Sequence, residues 1–260
     1  ISAITLFYRS AAFFLFSGFA SLTYQVPWVR LLGLSMGSTS AAISTVLAAF
    51  FLGLAMGSYL AERITRNRIN SLRPYIYLEV VIGLSGLALL PMLLNLDAFM
   101  ALMPSLGSTL PMKFMVTMEL LILPTLCMGA TFPVMASIMI RRQGEMGKRM
   151  SQLYSLNTAG AVLGACLSGF VFIPAWGLDG AIYFAFIINL CIVLAALYIN
   201  RNLNLPPIET ATVAAPAEGM IAGTDKEQAS LRWPALIALF FTGFVAIATE
   251  VGWTKYLVIF

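Results

Sequence analysis

The residues of this sequence that could do chemistry are polar and ionisable side chains set within long apolar runs. They are Gln25, Arg30, Glu79, Glu119, Asn157, Glu250 and Lys255. A charged group at membrane depth costs about 3 kcal/mol or more unless it faces protein or water. We therefore interpret these side chains as candidates for ion or substrate contacts, or for buried pairs that join helices.

Depth along the predicted helices suggests two pairings among these residues. With a rise of about 1.5 Å per residue, Glu79 and Asn157 both lie roughly 8 to 9 Å from the cytoplasmic side, where they could share one polar layer. Glu119 lies near the outer side at a depth close to that of Arg30. This similarity in depth predicts an ion pair between Arg30 and Glu119.

A plainer interpretation applies to the cations and tryptophans near the outer side. Arg30 and Lys255 would then extend to the outer headgroups, and Trp28 and Trp253 would belong to the interfacial aromatic belt. The shorter side chains of Gln25, Glu79 and Glu250 reach the headgroups poorly. For these three residues the functional interpretation is the stronger of the two.

The sequence contains an internal repeat. Residues 237–260 match residues 12–35 at a constant offset of 225. The identical positions are Phe16, Gly18, Phe19, Val26, Trp28 and Leu32, which recur as Phe241, Gly243, Phe244, Val251, Trp253 and Leu257. Gln25 recurs as Glu250 and Arg30 as Lys255. Such a repeat is typical of two-lobed transporters, and it predicts that Gln25 and Glu250 approach each other across a pseudo-two-fold axis.

Composition indicates an all-α integral membrane protein. The chain has 260 residues, of which 60% are apolar and 10% charged, with a mean hydropathy of +0.91. A span needs about 20 apolar residues, and the predicted spans are Ser10–Leu34, Ser38–Ala61, Pro74–Leu96, Lys113–Ile140, Ser151–Trp176 and Leu178–Ile199. We expect a six-helix lobe over residues 1–201 and a Pro-rich cytoplasmic linker over 202–232. Residues 233–260 would be a seventh helix beginning a second, truncated lobe.

Charge placement predicts the orientation in the membrane. Twelve of the 15 cations fall at the amino terminus or in the connections after the second, fourth and sixth spans. The positive-inside rule places those segments, and hence the amino terminus, in the cytoplasm. Because the basic residues follow topology rather than one folded surface, we do not expect nucleic-acid binding.

The sequence offers no constellation for catalysis or metal binding. It contains no His, and Cys127, Cys166 and Cys191 fall far apart within predicted spans. No nucleophile, base and orienting group occur together, so we expect no catalytic, cofactor or metal site. The glycine pairs Gly33/Gly37, Gly53/Gly57 and Gly160/Gly164 predict close helix packing rather than phosphate loops.

Four ordered motifs resemble a known family. Residues 17–32, 44–58, 123–134 and 153–165 are similar to the first, second, fourth and fifth helices of the membrane domain in bacterial fused major-facilitator/spermidine-synthase proteins. The family usually has an acid where Gln25 stands, and Glu250 keeps that acid in the second copy. The resemblance implies a major-facilitator-like arrangement of the six-helix lobe and a bacterial inner-membrane location. Aminopropyl transfer in that family belongs to a soluble domain that these residues do not contain.

The run from Gly57 to Arg68 also resembles the major-facilitator loop between the second and third helices. In that loop acidic and Arg groups fix the cytoplasmic helix ends, and Glu62 and Arg63 match in type. An ordinary positive-inside loop is the alternative.

Three function classes follow. The first is a transporter-like domain of unknown substrate, favoured by the repeat and by Pro27, Pro124 and Pro133, which we expect to break helices. The second is a non-catalytic accessory or scaffold subunit of a larger membrane complex. The third is a membrane anchor for an aminopropyltransferase domain absent from this chain. The expected partners are the lipid bilayer, with other membrane subunits or a small-molecule substrate as further candidates.

Overall fold

The computed structural model describes residues 3–65, 71–101, 109–139 and 146–201, together with isolated positions between 234 and 252. The regular elements in these residues are all helical. They are α1 (Ala3–Met36), α2 (Thr39–Thr65), α3 (Arg73–Leu94), a short α4 (Leu96–Ala101), α5 (Leu110–Met139), α6 (Met146–Leu167), a π-helical turn (Ser168–Phe172) and α7 (Ile173–Arg201). These bounds follow the predicted spans closely, apart from the separate helix α4.

Four stretches of the described chain are long and apolar enough to cross a membrane: Thr39–Arg63, Arg73–Leu94, Leu110–Ile138 and Gly147–Arg201. Helix α1 is 34 residues long, but its segment from Ser17 to Gln25 is richer in polar side chains. These stretches indicate an integral membrane protein with several spanning helices.

The last of these stretches cannot be a single span. Its 55 residues would extend about 80 Å as one helix, against a bilayer core of about 30 Å. Gly177 breaks it, because its backbone adopts φ 76° and ψ −178°. A left-handed φ of this kind is readily available only to glycine. The break falls between the predicted spans Ser151–Trp176 and Leu178–Ile199.

Glycine also ends α1. Gly37 has φ 66°, and its N–H donates to the carbonyl oxygen of Gly33 at 3.2 Å, which is the usual glycine termination of a helix. Among the described residues, no atom lies within 4 Å of the position that a Cβ of Gly33 or Gly37 would occupy. The prediction that this pair packs helices together is therefore wrong, because the second glycine serves to turn the chain.

The expectation that prolines break helices is also wrong. Helix α1 continues through Pro27, and α5 continues through Pro124 and Pro133. Beside Pro124, the hydroxyl of Thr125 donates to the carbonyl oxygen of Leu121 at 2.7 Å. Hydroxyl groups of this kind help to satisfy backbone carbonyls around a proline in a membrane helix.

Glycines bring two pairs of helices into backbone contact. On α6, Gly160 and Gly164 lie against the carbonyl oxygens of Leu15 and Phe19 on α1, and neither site has room for a Cβ atom. On α2, Gly53 lies against the side chain and backbone of Thr125 on α5, and Gly57 lies against the carbonyl oxygen of Leu126. Close packing of Gly53/Gly57 and Gly160/Gly164 is thus confirmed, as small residues in membrane helices favour. In both pairs the residue numbers rise together, so the paired helices run parallel.

Helices α3 and α7 pack antiparallel. At one end, the N–H of Leu72 donates to Asn200 Oδ1 at 2.9 Å, and further along Gly83 lies against Asn189 and Phe186. Helix α1 also contacts α7, and α5 contacts α3. The two groups of three helices, α1–α3 and α5–α7, therefore pack on each other symmetrically. The first helix of each group contacts the second and third helices of the other: α1 packs on α6 and α7, and α5 packs on α2 and α3.

The buried core falls into two main clusters along the helices. One contains Tyr24, Trp28, Leu32, Ile82, Leu89 and Leu121, and the other contains Phe14, Tyr75, Met135, Leu153 and Ile192. Trp28 is fully buried and stacks on Tyr24 with ring centroids 5.5 Å apart. Its assignment to an interfacial aromatic belt is therefore wrong, because the ring fills the interior of the helix bundle.

The chain divides after Glu209, and Thr210–Phe260 make up a second unit. Its described positions are helical, and the hydroxyls of Thr242 and Thr249 donate to the carbonyl oxygens of Ala238 and Val245 one turn earlier. Glu250, Lys255, Trp253 and the predicted linker 202–232 lie outside the described residues.

Candidate functional site

A fully buried carboxyl group, that of Glu79, is the centre of the candidate site. Buried positions on α3 recur with helical spacing: Tyr75, Ile76, Glu79, Ile82, Gly83, Gly86, Leu89, Leu90 and Leu93. Glu79 falls on this apolar stripe, so its helix directs the acid into the protein rather than toward lipid. The exposed fraction of the residue is 0%.

The partner of Glu79 comes from α7. Asn189 Nδ2 donates to Glu79 Oε2 at 2.6 Å, and Asn189 is itself buried. Asn189 is not among the residues predicted from the sequence. The available signal was an isolated amide within the apolar run Leu178–Ile199, since a polar group in such a run needs a partner.

Other polar groups surround the carboxyl. Ser17 and Tyr24 on α1 and Tyr75 on α3 lie close enough to interact with it electrostatically. The hydroxyl of Tyr75 donates to the carbonyl oxygen of Phe13 at 3.4 Å. Gly86 makes room for Tyr24, because a Cβ there would lie 2.8 Å from the tyrosine ring. Three helices thus contribute to one buried polar cluster.

Five buried polar atoms of the described residues have no hydrogen-bond partner, and three of them belong to groups that can donate. Among the described residues, the buried polar atoms without a hydrogen-bond partner are Tyr24 Oη, Trp28 Nε1, Glu79 Oε1, Thr117 Oγ1 and Asn189 Oδ1. Such atoms are rare in folded proteins, and each costs about 1–3 kcal/mol. Two of them, Glu79 Oε1 and Asn189 Oδ1, belong to the same pair of side chains.

The groups that face Glu79 also provide no positive charge. Ser17, Tyr24, Tyr75 and Asn189 are all neutral polar side chains. Lys113 Nζ instead forms a salt bridge with Asp97 Oδ1 at 2.7 Å, near the other end of α3. None of the described groups that face Glu79 would therefore offset the burial of an ionised carboxylate with a positive charge.

Glu79 and Asn157 lie at the same level of α1 but do not meet. Ser17 faces the carboxyl group, whereas its neighbour Gly18 lies against the backbone and side-chain oxygens of Asn157. No hydrogen bond joins these two described side chains. Equal depth holds for the pair, but α1 separates them.

The predicted ion pair between Arg30 and Glu119 is not formed. Both side chains are exposed, on α1 and α5 respectively, and within the described chain no salt bridge links them. Instead, Lys113 Nζ at the start of α5 bonds Asp97 and donates to the carbonyl oxygen of Ser35 at 2.6 Å. A cation is favoured there because the last carbonyls of α1 carry partial negative charge.

The remaining candidates lie apart from this cluster. Gln25 is partly exposed on α1. Glu62 and Arg63 are exposed in the last turn of α2, where the guanidinium of Arg63 lies 4.6 Å from the ring centre of Tyr59 and donates to its hydroxyl. This contact is within one helix, so it gives no support to a role in fixing a neighbouring helix end.

The apolar spanning helices and the buried polar cluster define a polytopic α-helical membrane protein. Large apolar side chains such as Phe170, Leu194 and Ile187 are exposed along α7 and the π-helical turn, as lipid contact requires. Comparison with protein-family models, curated proteins and solved structures finds no match for this chain. Its function must therefore be inferred from its own geometry.

Proposed function

We propose that residues 1–201 form a transporter-type membrane lobe built from two inverted three-helix repeats. The symmetric packing of the two helix groups supports this proposal, because α1 packs on α6 and α7 in the way that α5 packs on α2 and α3. The chain reverses at Gly37, so α2 runs antiparallel to α1. Because α5 packs parallel to α2, α5 also runs antiparallel to α1. Inverted repeats of this kind underlie the six-helix halves of major-facilitator transporters.

Specific contacts support the same relation. Gly57 lies against the carbonyl oxygen of Leu126, and Gly164 lies against that of Phe19. Gly57 and Gly164 are 107 residues apart, as are Phe19 and Leu126. The contact between Gly57 and Leu126 thus corresponds to the contact between Gly164 and Phe19. In each contact the glycine lies on the second helix of one repeat and the carbonyl group on the first helix of the other.

The buried polar cluster lies at the contact between the two proposed repeats. Glu79 and Asn189 lie on the third helices of the two proposed repeats, where the repeats meet. Transporter sites commonly lie at repeat interfaces near the middle of the membrane. An ionisable residue inside a membrane protein is by default a functional candidate.

The substrate class rests on resemblance alone. The motifs at residues 17–32, 44–58, 123–134 and 153–165 suggest the membrane domain of fused spermidine-synthase proteins. Polyamines and other small organic cations are therefore the first candidates. A bacterial inner-membrane location with a cytoplasmic amino terminus belongs to the same proposal.

Uptake by the full-length protein in proteoliposomes tests transport. We expect accumulation of at least one small cation above that in protein-free vesicles, stimulated by an imposed pH gradient. Glu79→Gln should reduce this stimulation, whereas Asp179→Asn, which changes an exposed acid on α7, should leave it intact. Absence of uptake for every substrate tested, with correctly folded and inserted protein, would contradict the proposal.

An accessory or scaffold subunit is the second candidate, and the filled interior favours it. Phe14, Tyr24, Trp28 and Tyr75 are all buried between the helices, so the interior of the lobe is packed, as expected for a scaffold. Native mass spectrometry of the membrane-extracted protein distinguishes the two functions. A scaffold predicts stoichiometric association with other membrane subunits together with no uptake.

A further inference from the structure

We propose that Glu79 and Asn189 form a proton-binding site, in which one proton on Glu79 Oε1 also provides the hydrogen bond that Asn189 Oδ1 lacks. The two side chains already share one bond, from Asn189 Nδ2 to Glu79 Oε2 at 2.6 Å. Each has one remaining oxygen, and neither oxygen has a partner. Both are acceptors, so these two oxygens can share a hydrogen bond only when one of them carries a proton.

A neutral carboxylic acid supplies that donor. Its O–H can donate to the amide oxygen while the amide N–H donates to the other acid oxygen, which closes a ring of two hydrogen bonds. Proton uptake converts the carboxylate to the acid, and the charge of Glu79 changes from −1 to 0. Release returns the proton to water and leaves two acceptor oxygens without a donor.

The surroundings favour a proton over a metal cation. Ser17 and Tyr24 from α1 and Tyr75 from α3 are the other polar groups that face the carboxyl. Hard metal cations such as Ca²⁺ and Mg²⁺ take about six or more oxygen ligands, whereas the described residues hold no group of three His, Cys, Asp or Glu that could bind a metal ion. One turn further along α3, the neighbour from α7 is the apolar ring of Phe186 against Gly83, which offers no oxygen ligand.

The site links protonation to the packing of α3 on α7. The neutral pair joins the two helices through two hydrogen bonds, whereas the ionised form keeps one bond and buries an uncompensated charge. Loss of the proton should therefore weaken the contact between α3 and α7. This consequence does not depend on transport, because a scaffold subunit could hold the same proton.

Infrared spectroscopy of the full-length protein in lipid nanodiscs tests the site. At neutral pH, exposed acids are ionised, so we expect the wild type to show a protonated carboxyl C=O band that Glu79→Gln removes. Asp179→Asn should leave this band unchanged. Asn189→Leu should shift it to higher frequency, since the acid would lose its amide partner.

Each outcome decides the proposal. A wild-type spectrum without a protonated carboxyl band at neutral pH would overturn it, as would a band that survives Glu79→Gln or fails to shift in Asn189→Leu. Should Glu79→Gln fail to fold, the wild-type band and its response to Asn189→Leu still decide. A band that appears only when Na⁺ or K⁺ is removed would assign the site to a metal cation instead. Uptake experiments remain separate, since a confirmed band without uptake would reject transport alone.

Discussion

Replacing Asn189 by Leu should destabilise the protein by removing the one hydrogen bond that Glu79 receives from another helix at 2.6 Å. The buried carboxyl would then lose its bond at Oε2, while Oε1 already has no hydrogen-bond partner among the described residues. Loss of a partner in a buried site costs about 1–3 kcal/mol. Interhelical hydrogen bonds in membranes average about 0.6 kcal/mol and reach about 1.7. Because this bond is short and fully buried, we expect a loss of about 1.5 kcal/mol.

A double-mutant cycle separates this bond from general packing effects. Glu79→Leu alone leaves the Asn189 amide without a partner and should cost about 1 kcal/mol. Together the two leucines replace a polar pair by an apolar one, so the double variant should be more stable than the sum predicts. We expect a coupling free energy of about 1 kcal/mol or more.

Reversible unfolding in mixed detergent micelles, followed by circular dichroism, measures these free energies. Thr158→Val is the matched control, because that hydroxyl is exposed and donates to the carbonyl oxygen of Tyr154 within its own helix. Its effect should stay within about 0.5 kcal/mol. If the effects of Asn189→Leu and Glu79→Leu add within about 0.3 kcal/mol, the two side chains do not interact energetically and the buried pair is refuted.

Three further predictions concern packing, charge and topology. Gly164→Ala should destabilise the protein by about 1–3 kcal/mol, since its Cβ would meet the backbone of α1. Gly33→Ala is the control, because space is open there, and it should be neutral or stabilising in the same unfolding assay. Lys113→Met should cost only about 1 kcal/mol or less, because its carboxylate partner is 63% exposed, and a larger loss by unfolding would contradict this. A Cys placed at Asn67 should be labelled only from the cytoplasmic side and one at Ser105 only from outside, and labelling of both from one face would reject the predicted topology.

The spanning helices could be predicted because their signal is local. A run of about 20 apolar residues suffices to identify a membrane helix, so the predicted bounds agree with α2, α5 and the two halves divided at Gly177. The close glycine contacts were predictable for the same reason, since small residues spaced four apart mark a packing face. Helix α4 was missed because its six residues continue the apolar run of α3.

The pairing of polar groups could not be predicted from depth. Residue number gives the position along a helix axis, whereas contact also depends on which side of the helix a residue faces and which helix lies there. Glu79 and Asn157 share a level of α1 but flank different sides of it. Arg30 and Glu119 have similar depth but both are exposed. Only the packing of α3 on α7 shows that Asn189 is the partner of Glu79.

An acid opposite an amide is a physically favourable way to place polar groups at a repeat interface. Glu79 and Asn189 are 110 residues apart, close to the spacing of the corresponding glycine contacts, so they occupy nearly equivalent places in the two proposed inverted repeats. Two acids there would repel each other whenever both ionised, and two amides could bind no proton. One acid and one amide allow a single proton to satisfy both side chains, and Gln25 with Glu250 shows the same substitution of amide for acid in the parallel repeat.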